Sequence, residues 1–396
     1  PALWNGYPLL QWDTGGYLAR WYEGYLVPSR STVFGIYLHA GETSGFWLDL
    51  GIQTLATLWI LQLTLRVLGL ARPVRLMAIS LALIATTALP WLASMLLTDI
   101  FAGLSVLSLF LLVIGGGYIG CELGQMFARA GVKVTIAVRR RLLPDAEPEI
   151  STALTKYFTE EGIAVREGLS YREIQQAPMG IALLVSAHGR AETITAERVL
   201  ITTGRRPNTD DLGLAESGVE LLSNGGINVD DRMRTSKLGV YAAGDVTGRD
   251  QFVYMAAYGA RIAAENALNG NRKRYDATAM PAVVFTDPQV ASVGLTEAEA
   301  GAQGLKVKTS TLDLKYVPRA LAARDTRGLI KLVAEASSGR LLGAHILAPE
   351  GADSIQTAVL AIKCGLTVEQ LAETIFPYLT TVEGLKLAAQ TFTKDV

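Results

Sequence analysis

Three glycines, Gly115, Gly117 and Gly120 in the run VIGGGYIGCELG (113–124), have the spacing with which a polypeptide holds a pyrophosphate. The first glycine permits a tight turn, the second lets the backbone approach the phosphates, and the third lets a helix pack closely on the strand before it. The bound negative charge then faces the positive end of that helix. A glycine triplet alone is a weak signal. Here an apolar strand precedes it (FLLVI, 110–114) and a second, VKVTIAV (132–138), follows it roughly 20 residues on. The end of that second strand separates two nucleotides. An NAD site places Asp or Glu there for the ribose hydroxyls, and an NADP site places arginine for the 2′-phosphate. This chain reads Arg139-Arg140-Arg141. Guanidiniums grip phosphate oxygens in pairs, so NADPH is the favoured nucleotide, with Arg139 and Arg140 as its phosphate ligands; the competing reading of the three arginines is a solvated basic turn.

The elements that must position these residues alternate in type. After the second strand, Pro148 to Glu161 reads as a helix and RVLITTG (198–204) as another strand. Residues 281–396 open with strands (AVVFT, VASVGLT, GLIKLVAE, LLGAHIL) and close with helices. The pattern from residue 111 onward is α/β, of the Rossmann type. Cys121 and Cys364 are too few for a disulfide framework and too far apart for a metal-ligand spacing; each is expected to be a small buried residue. His39, His188 and His345 stand singly and receive no role. The net charge of −1 gives no reason to expect a nucleic-acid partner.

The overall composition, 50% hydrophobic and 18% charged, conceals a split, because residues 1–112 carry almost all the long apolar runs. A nearly uncharged stretch runs from Leu50 to Leu65, and a longer one from Leu76 to Leu97, interrupted by Pro90. A bilayer core takes about 20 apolar residues per helix, so these read as candidate transmembrane helices, with buried core helices as the alternative. Arg66, Arg72 and Arg75 between them would face the cytoplasm. A third apolar run, FAGLSVLSLFLLVI, ends in the first strand of the nucleotide unit. One segment cannot both span a bilayer and pair in a soluble sheet. The conflict falls near residue 110 and points to two unrelated sequences joined there, with possible membrane association confined to residues 50–112.

The series GGGYIGCELG, ITTGRRPNT (201–209) and GVYAAGDV (239–246) resembles the flavoprotein disulfide reductases. QFVYMAA, MPAVVFTDPQVASVGLTE, VPRALAARDTRGLIKLVAE and FPYLTTVEGLKLAAQTFTKDV are similar to mercuric reductases in particular, over residues 111–396. The resemblance implies an NADPH-binding Rossmann domain (111–205), the second segment of an FAD-binding domain (206–280) and an α+β dimerisation domain (281–396), preceded by a membrane-protein-like segment (1–110). It implies FAD and NADPH as cofactors, Hg(II) as substrate and a homodimer, with the enzyme portion cytoplasmic. In that family hydride passes from NADPH to flavin, and electrons pass on through a cysteine pair to Hg(II).

Carried over by position, Tyr118 corresponds to an aromatic gate over the flavin, and Glu122 to a glutamate paired with a lysine beside the redox cysteines. That lysine is absent, so Glu122 is expected to be buried without a partner. Asp245, beside Gly244, corresponds to the aspartate that bonds the flavin ribityl chain, and Gly204 and Arg205 lie where strand meets cofactor. Tyr378 with Glu383 takes the place of the histidine–glutamate pair of glutathione reductase; a phenol of ordinary pKa about 10 suits metal handling better than proton transfer. No glycine fingerprint precedes Gly115 and no cysteine precedes Cys121, and the C-terminal cysteine pair of mercuric reductases is likewise not found. The expectation is therefore an incomplete enzyme. The alternatives are a membrane-anchored, non-catalytic nucleotide-binding or dimerisation module, and another reductase of the family such as dihydrolipoamide dehydrogenase.

Overall fold

A computed structural model describes residues 110–393 other than 179 and 188, together with Leu55, Trp59 and Gln62 in helix. The chain divides into two units between Ser108 and Leu109, close to the discontinuity in the sequence. Among the described residues no helix is long and apolar enough to cross a membrane. The apolar stretches at 50–65 and 76–97 lie outside the described residues apart from the three just named, so the transmembrane expectation has no structural support.

Four parallel strands form the first sheet: β1 (Phe110–Ile114), β2 (Lys133–Ala137), β3 (Ala164–Arg166) and β7 (Arg198–Ile201), in the order β3-β2-β1-β7. Leu111 to Ile114 are all buried, as a central strand covered on both faces requires. The crossover helix α1 (Tyr118–Arg129) follows β1. It lies close to the sheet because Gly124 faces Ile136, whose Cδ1 would stand 2.8 Å from a Cβ at that position. The next helix, α2 (Pro148–Glu160), begins with proline at its first turn and buries Ile150, Ser151, Leu154 and Phe158. The strand expected over 198–204 ends at Ile201, and Thr202 to Gly204 form the loop that reaches the site.

Between β3 and β7 lies an antiparallel meander absent from the sequence reading: β4 (Leu169–Ala177), β5 (Gly180–Ala187) and β6 (Arg190–Ala196). Residues 206–280 contain a short helix, α3 (Leu214–Ser217), a long one, α4 (Val253–Asn269), and much irregular chain. A five-stranded antiparallel sheet follows, ordered β10-β11-β12-β9-β8. Its strands are β8 (Pro281–Val284), β9 (Gln289–Gly294), β10 (Val307–Asp313), β11 (Leu329–Glu335) and β12 (Leu341–Ala348). β10, whose only apolar residues are Val307 and Leu312, is absent from the sequence reading. Every residue of β12 is buried. The helices of this C-terminal region are α5 (Glu297–Ala302), α6 (Pro318–Ala323), α7 (Gly351–Lys363), α8 (Val368–Glu373) and α9 (Glu383–Gln390). Ile355, Ala358, Leu385 and Ala388 from α7 and α9 close the core over Ile330, Leu332 and Ile346.

Candidate functional site

The three glycines do different jobs. Gly115 adopts φ +114°, and a Cβ there would sit 2.7 Å from the Thr202 carbonyl oxygen. At Gly120 a Cβ would meet the Gly115 carbonyl oxygen at 2.1 Å. Both are required by the protein's own packing. At Gly117 a Cβ would have no heavy atom within 4 Å. The second glycine is thus the one whose open side faces space rather than protein. Thr202, which sequence reasoning did not single out, ties β7 to this turn: its hydroxyl donates to the carbonyls of Ile114 (3.1 Å) and Gly115 (3.0 Å).

That space is a cleft of about 780 Å³. One wall is the glycine turn, a second is the arginine loop after β2, and a third comes from the C-terminal sheet, including Ala282, Ser292 and His345. The size suits a dinucleotide-scale ligand. Arg139 and Arg140 are exposed on the cleft rim, and Arg140 lies 3.5 Å from the exposed Asp145. Arg141 is the one of the three not assigned to the phosphate. Its guanidinium is half-buried and donates through one nitrogen to the carbonyls of Pro144 (3.1 Å) and Ala146 (2.7 Å), so it braces the loop. Leu143, at φ +43°, donates its N–H to the Gly116 carbonyl at 2.7 Å and fixes the loop against the glycine turn.

A buried ionic cluster, also missed from sequence, lies where this loop meets the C-terminal sheet. Lys331 of β11, 2% exposed, places its ammonium 2.9 Å from each of Glu147, Glu149 and Glu297. Burial alone would lower the ammonium's pKa, but the carboxylates of Glu297, Glu149 and Glu147 outweigh it and hold it above the ordinary lysine value. His345, also buried, is pulled below its ordinary value, mainly by desolvation, although Leu295 O stands 3.1 Å from its Nε2. The only advance signal was a lysine in the middle of an otherwise apolar strand, LIKLVAE.

Tyr118 opens α1 at the cleft edge, 39% exposed. Its ring centroid is 5.8 Å from that of Phe252, which stacks at 5.2 Å on Tyr254. Burial, then the charge of Asp145, pushes the Tyr118 phenol upward; burial, with Tyr118 and Asp250, pushes Tyr254 to about 12. Glu122 is not the unpartnered buried acid expected: it is half-buried, and its Oε1 accepts the Phe285 N–H at 2.7 Å. Gly204 and Gly244 adopt φ +133° and +83°. Arg205 donates to the Gln251 carbonyl at 2.9 Å and lies 3.5 Å from Asp245, which brings Gly204, Arg205, Gly244 and Asp245 into one region.

At the other end of the chain Tyr378 is 71% exposed. Glu383 starts α9, and its Oε2 is buried with no hydrogen-bond partner among the described residues. No hydrogen bond joins the two. Cys121 is fully buried, its thiol pushed up by burial and then by Glu122. Cys364 corrects the expectation of burial: it follows α7 and is exposed. Among the described residues no group of acids, histidines and cysteines could hold a metal ion.

A parallel nucleotide-binding sheet, a glycine turn with one open face and an antiparallel C-terminal domain define a dinucleotide-dependent oxidoreductase fold. Residues 103–264 match the Pyridine nucleotide-disulphide oxidoreductase family, and residues 280–389 match its dimerisation domain. The chain belongs to this family. Within it the chain resembles mercuric reductase: it is 49% identical to that of Streptomyces lividans over 286 residues, covering 72% of this chain and 60% of that protein. Against the mercuric reductase of Shigella flexneri the identity is 51% over 289 residues, covering 72% and 50%. The chain thus spans about half to three-fifths of the length of these relatives. Among solved structures, LpdA from Mycobacterium tuberculosis is similar with a TM-score of 0.66 and 28% identity, covering 73% of this chain and 62% of that one. The HOCl-induced flavoprotein disulfide reductase RclA from Escherichia coli gives the same TM-score and identity, covering 73% and 66%.

Proposed function

We propose that this chain is the NADPH-binding and dimerisation part of an FAD-dependent oxidoreductase of the mercuric reductase kind. The observation that carries the reading is the open face at Gly117 beside two exposed arginines, in a glycine turn otherwise closed by its own packing. NADPH and FAD, when bound, would supply the hydride donor and its acceptor. Gly117 lets the backbone reach the pyrophosphate, and Arg139 and Arg140 take the 2′-phosphate. Tyr118, lying against Phe252, is placed to swing aside for the nicotinamide. Asp245, held near Arg205, would accept from the ribityl chain, with Gly204 and Gly244 admitting the backbone turns around it. The proposed domains are 111–205 for NADPH, 206–280 for FAD and 281–396 for pairing two copies. In such a homodimer Tyr378 and the unsatisfied oxygen of Glu383 would serve the Hg(II) site of the second subunit.

Reduction of Hg(II) requires paired soft thiolates. The two cysteines of this chain, one buried and one exposed, do not provide them. The 396 residues alone are therefore proposed to bind NADPH without oxidising it on Hg(II). Fluorescence titration should give tighter binding of NADPH than NADH. Replacing Arg139 and Arg140 by alanine should remove the preference, at roughly 1.5–3 kcal/mol per charged hydrogen bond lost. Equal affinity for the two nucleotides in the unaltered chain would overturn the NADPH assignment, and Hg(II)-dependent NADPH oxidation would overturn the incompleteness. The apolar runs at 50–65 and 76–97 favour a second reading, a membrane-tethered module, which requires the chain to sediment with membranes after an alkaline wash.

A further inference from the structure

We infer that Lys331, a residue of the C-terminal sheet, is a positioning residue for the arginine loop that discriminates NADPH from NADH. The inference rests on the NADPH reading above and deepens it.

The loop from Arg139 to Ala146 runs from the end of β2 to Glu147, the residue that caps α2. Its interior is braced by the Arg141 and Leu143 hydrogen bonds already described and by Ser151, whose hydroxyl donates to the Leu142 carbonyl at 2.5 Å. Its far end is held differently. The Glu147 side chain points away from the loop into the other domain and is 2% exposed. There one oxygen accepts from Lys331 at 2.9 Å and the other from the Glu297 N–H at 2.7 Å. His345 Nε2 stands 3.9 Å from that second oxygen. The loop's C-terminal anchor is thus an ion pair with a residue 184 positions later in the chain.

Ionic clusters of this kind are a costly way to join two surfaces, since apolar residues of similar volume often do so at least as well. An ammonium shared among three carboxylates does something apolar contact does not: it fixes one of those carboxylates in one orientation. Without the ammonium, Glu147 would be a buried charge kept only by a backbone donor. It would have to protonate, or turn out and take the end of the arginine loop with it. The three carboxylates that hold Lys331 all lie outside the loop from Arg139 to Ala146, so its effect on the nucleotide passes through Glu147.

The test uses the full chain and the pair NADPH and NADH, which differ only in the 2′-phosphate. Lys331→Met should weaken NADPH roughly 10-fold, at the lower end of what loss of an outer orienting partner costs a metal site. NADH affinity should stay within about twofold, and Lys331→Arg should recover most of the preference. A merely structural joint would lower the melting temperature and move both nucleotides together, or neither; an unchanged NADPH-to-NADH ratio in Lys331→Met overturns the inference. If that variant does not fold, the double variant Glu149→Gln and Glu297→Gln, at two half-exposed positions, loosens the ammonium while leaving Lys331 and Glu147 in place. It should show a smaller loss of the same ratio, and no change there also overturns the inference. Failure of the underlying reading looks different, because the unaltered chain would then show no NADPH preference.

Discussion

Two alanine substitutions three residues apart should separate what the fold requires from what the ligand requires. At Gly120 the added Cβ meets the Gly115 carbonyl oxygen at 2.1 Å and Thr202 Oγ1 at 2.8 Å. A carbonyl fixed in a turn cannot step aside, so the start of α1 must move away from β1. Overpacking of this kind costs about 1–3 kcal/mol. The same movement strains the Thr202 hydrogen bonds to Ile114 and Gly115, worth about 0.5–1.5 kcal/mol each. Against this stands a gain of roughly 0.5–1 kcal/mol for alanine over glycine inside a helix. The net expectation is a loss of roughly 2–4 kcal/mol, or about 3–7 °C in melting temperature for a unit of this size. Gly117→Ala meets nothing and needs no positive φ, since the residue sits at φ −79°. As the N-cap residue of α1 it should lose up to about 1 kcal/mol on this change, less than Gly120→Ala. Its methyl group, however, stands in the space proposed for the pyrophosphate, and NADPH affinity should fall at least tenfold. Thermal unfolding by circular dichroism and a nucleotide fluorescence titration give both numbers for each variant. Gly117→Ala with full NADPH affinity would refute the assignment of the open face to the ligand. Gly120→Ala with an unchanged melting temperature would refute the packing argument.

His345 is buried with its pKa lowered, chiefly by desolvation. Between its ordinary value near 6.5 and the lower folded value, the unfolded chain binds a proton that the folded chain does not. Stability should therefore fall as pH drops below about 6.5, by up to about 1.4 kcal/mol per pH unit; urea unfolding at pH 7.5 and 5.5 measures this, and His345→Gln should flatten the slope. Burial raises the Glu149 pKa, but its bond to Lys331, its backbone hydrogen bond and the charges of Lys331 and His345 together outweigh burial and leave it below its ordinary value, so it adds a separate loss only at more acidic pH, as that carboxylate protonates. A thiol reagent should modify one cysteine per native chain, Cys364, and two after unfolding; rapid native labelling of Cys121 would contradict its burial.

How far the sequence foretold this arrangement depended on how local each signal was. β1, the glycine turn and the start of α1 were legible together because one run of twelve residues specifies strand, turn and helix with no help from elsewhere. The ends of β2 and α2 were placed within one residue for the same reason. The β4-β5-β6 meander escaped because β4 is largely exposed, with a burial pattern that breaks the alternation at its bulge between Tyr171 and Glu173. Arg139 and Arg140 were assigned to the phosphate and Arg141 was not, but that Arg141 turns inward was not legible, since it depends on where the carbonyls of Pro144 and Ala146 fall. Glu122 was misjudged because its partner is a backbone N–H at residue 285, which leaves no trace in residue type. The exposure of Cys364 depends on where α7 ends, an equally non-local fact. Lys331 was visible as a charge in an apolar strand, but its three acids lie at positions 147, 149 and 297 and meet only in the fold.

The long-range contacts that sequence could not show are also the ones that join the nucleotide unit to the C-terminal sheet. Besides the Lys331 cluster there is a second junction around Asp287. Gln125 accepts the Asp287 N–H at 2.8 Å and donates to its carbonyl at 2.9 Å. Arg129 reaches the Asp287 carboxylate at 2.8 Å and Glu161 at 2.6 Å. Arg327, from the far side, pairs with Asp325 at 2.7 Å and Asp287 at 3.1 Å. Exposed pairs of this sort contribute little singly, but Gln125 is buried, and leaving its amide unsatisfied would cost about 1–3 kcal/mol. With one junction where the arginine loop meets the C-terminal sheet and another on α1, neither domain can open without exposing buried polar groups of the other. Residues 110–393 should therefore unfold in a single transition, with circular dichroism and nucleotide release coinciding on a urea titration. Gln125→Leu removes the buried hydrogen bonds of the second junction while keeping the volume, and should separate the two curves if those bonds, rather than the separate cores, hold the domains together. Coincident curves in that variant would place the cooperativity in the contacts that remain, the Lys331 cluster and the Asp287 ion pairs, and two transitions in the unaltered chain would show that neither junction couples the domains.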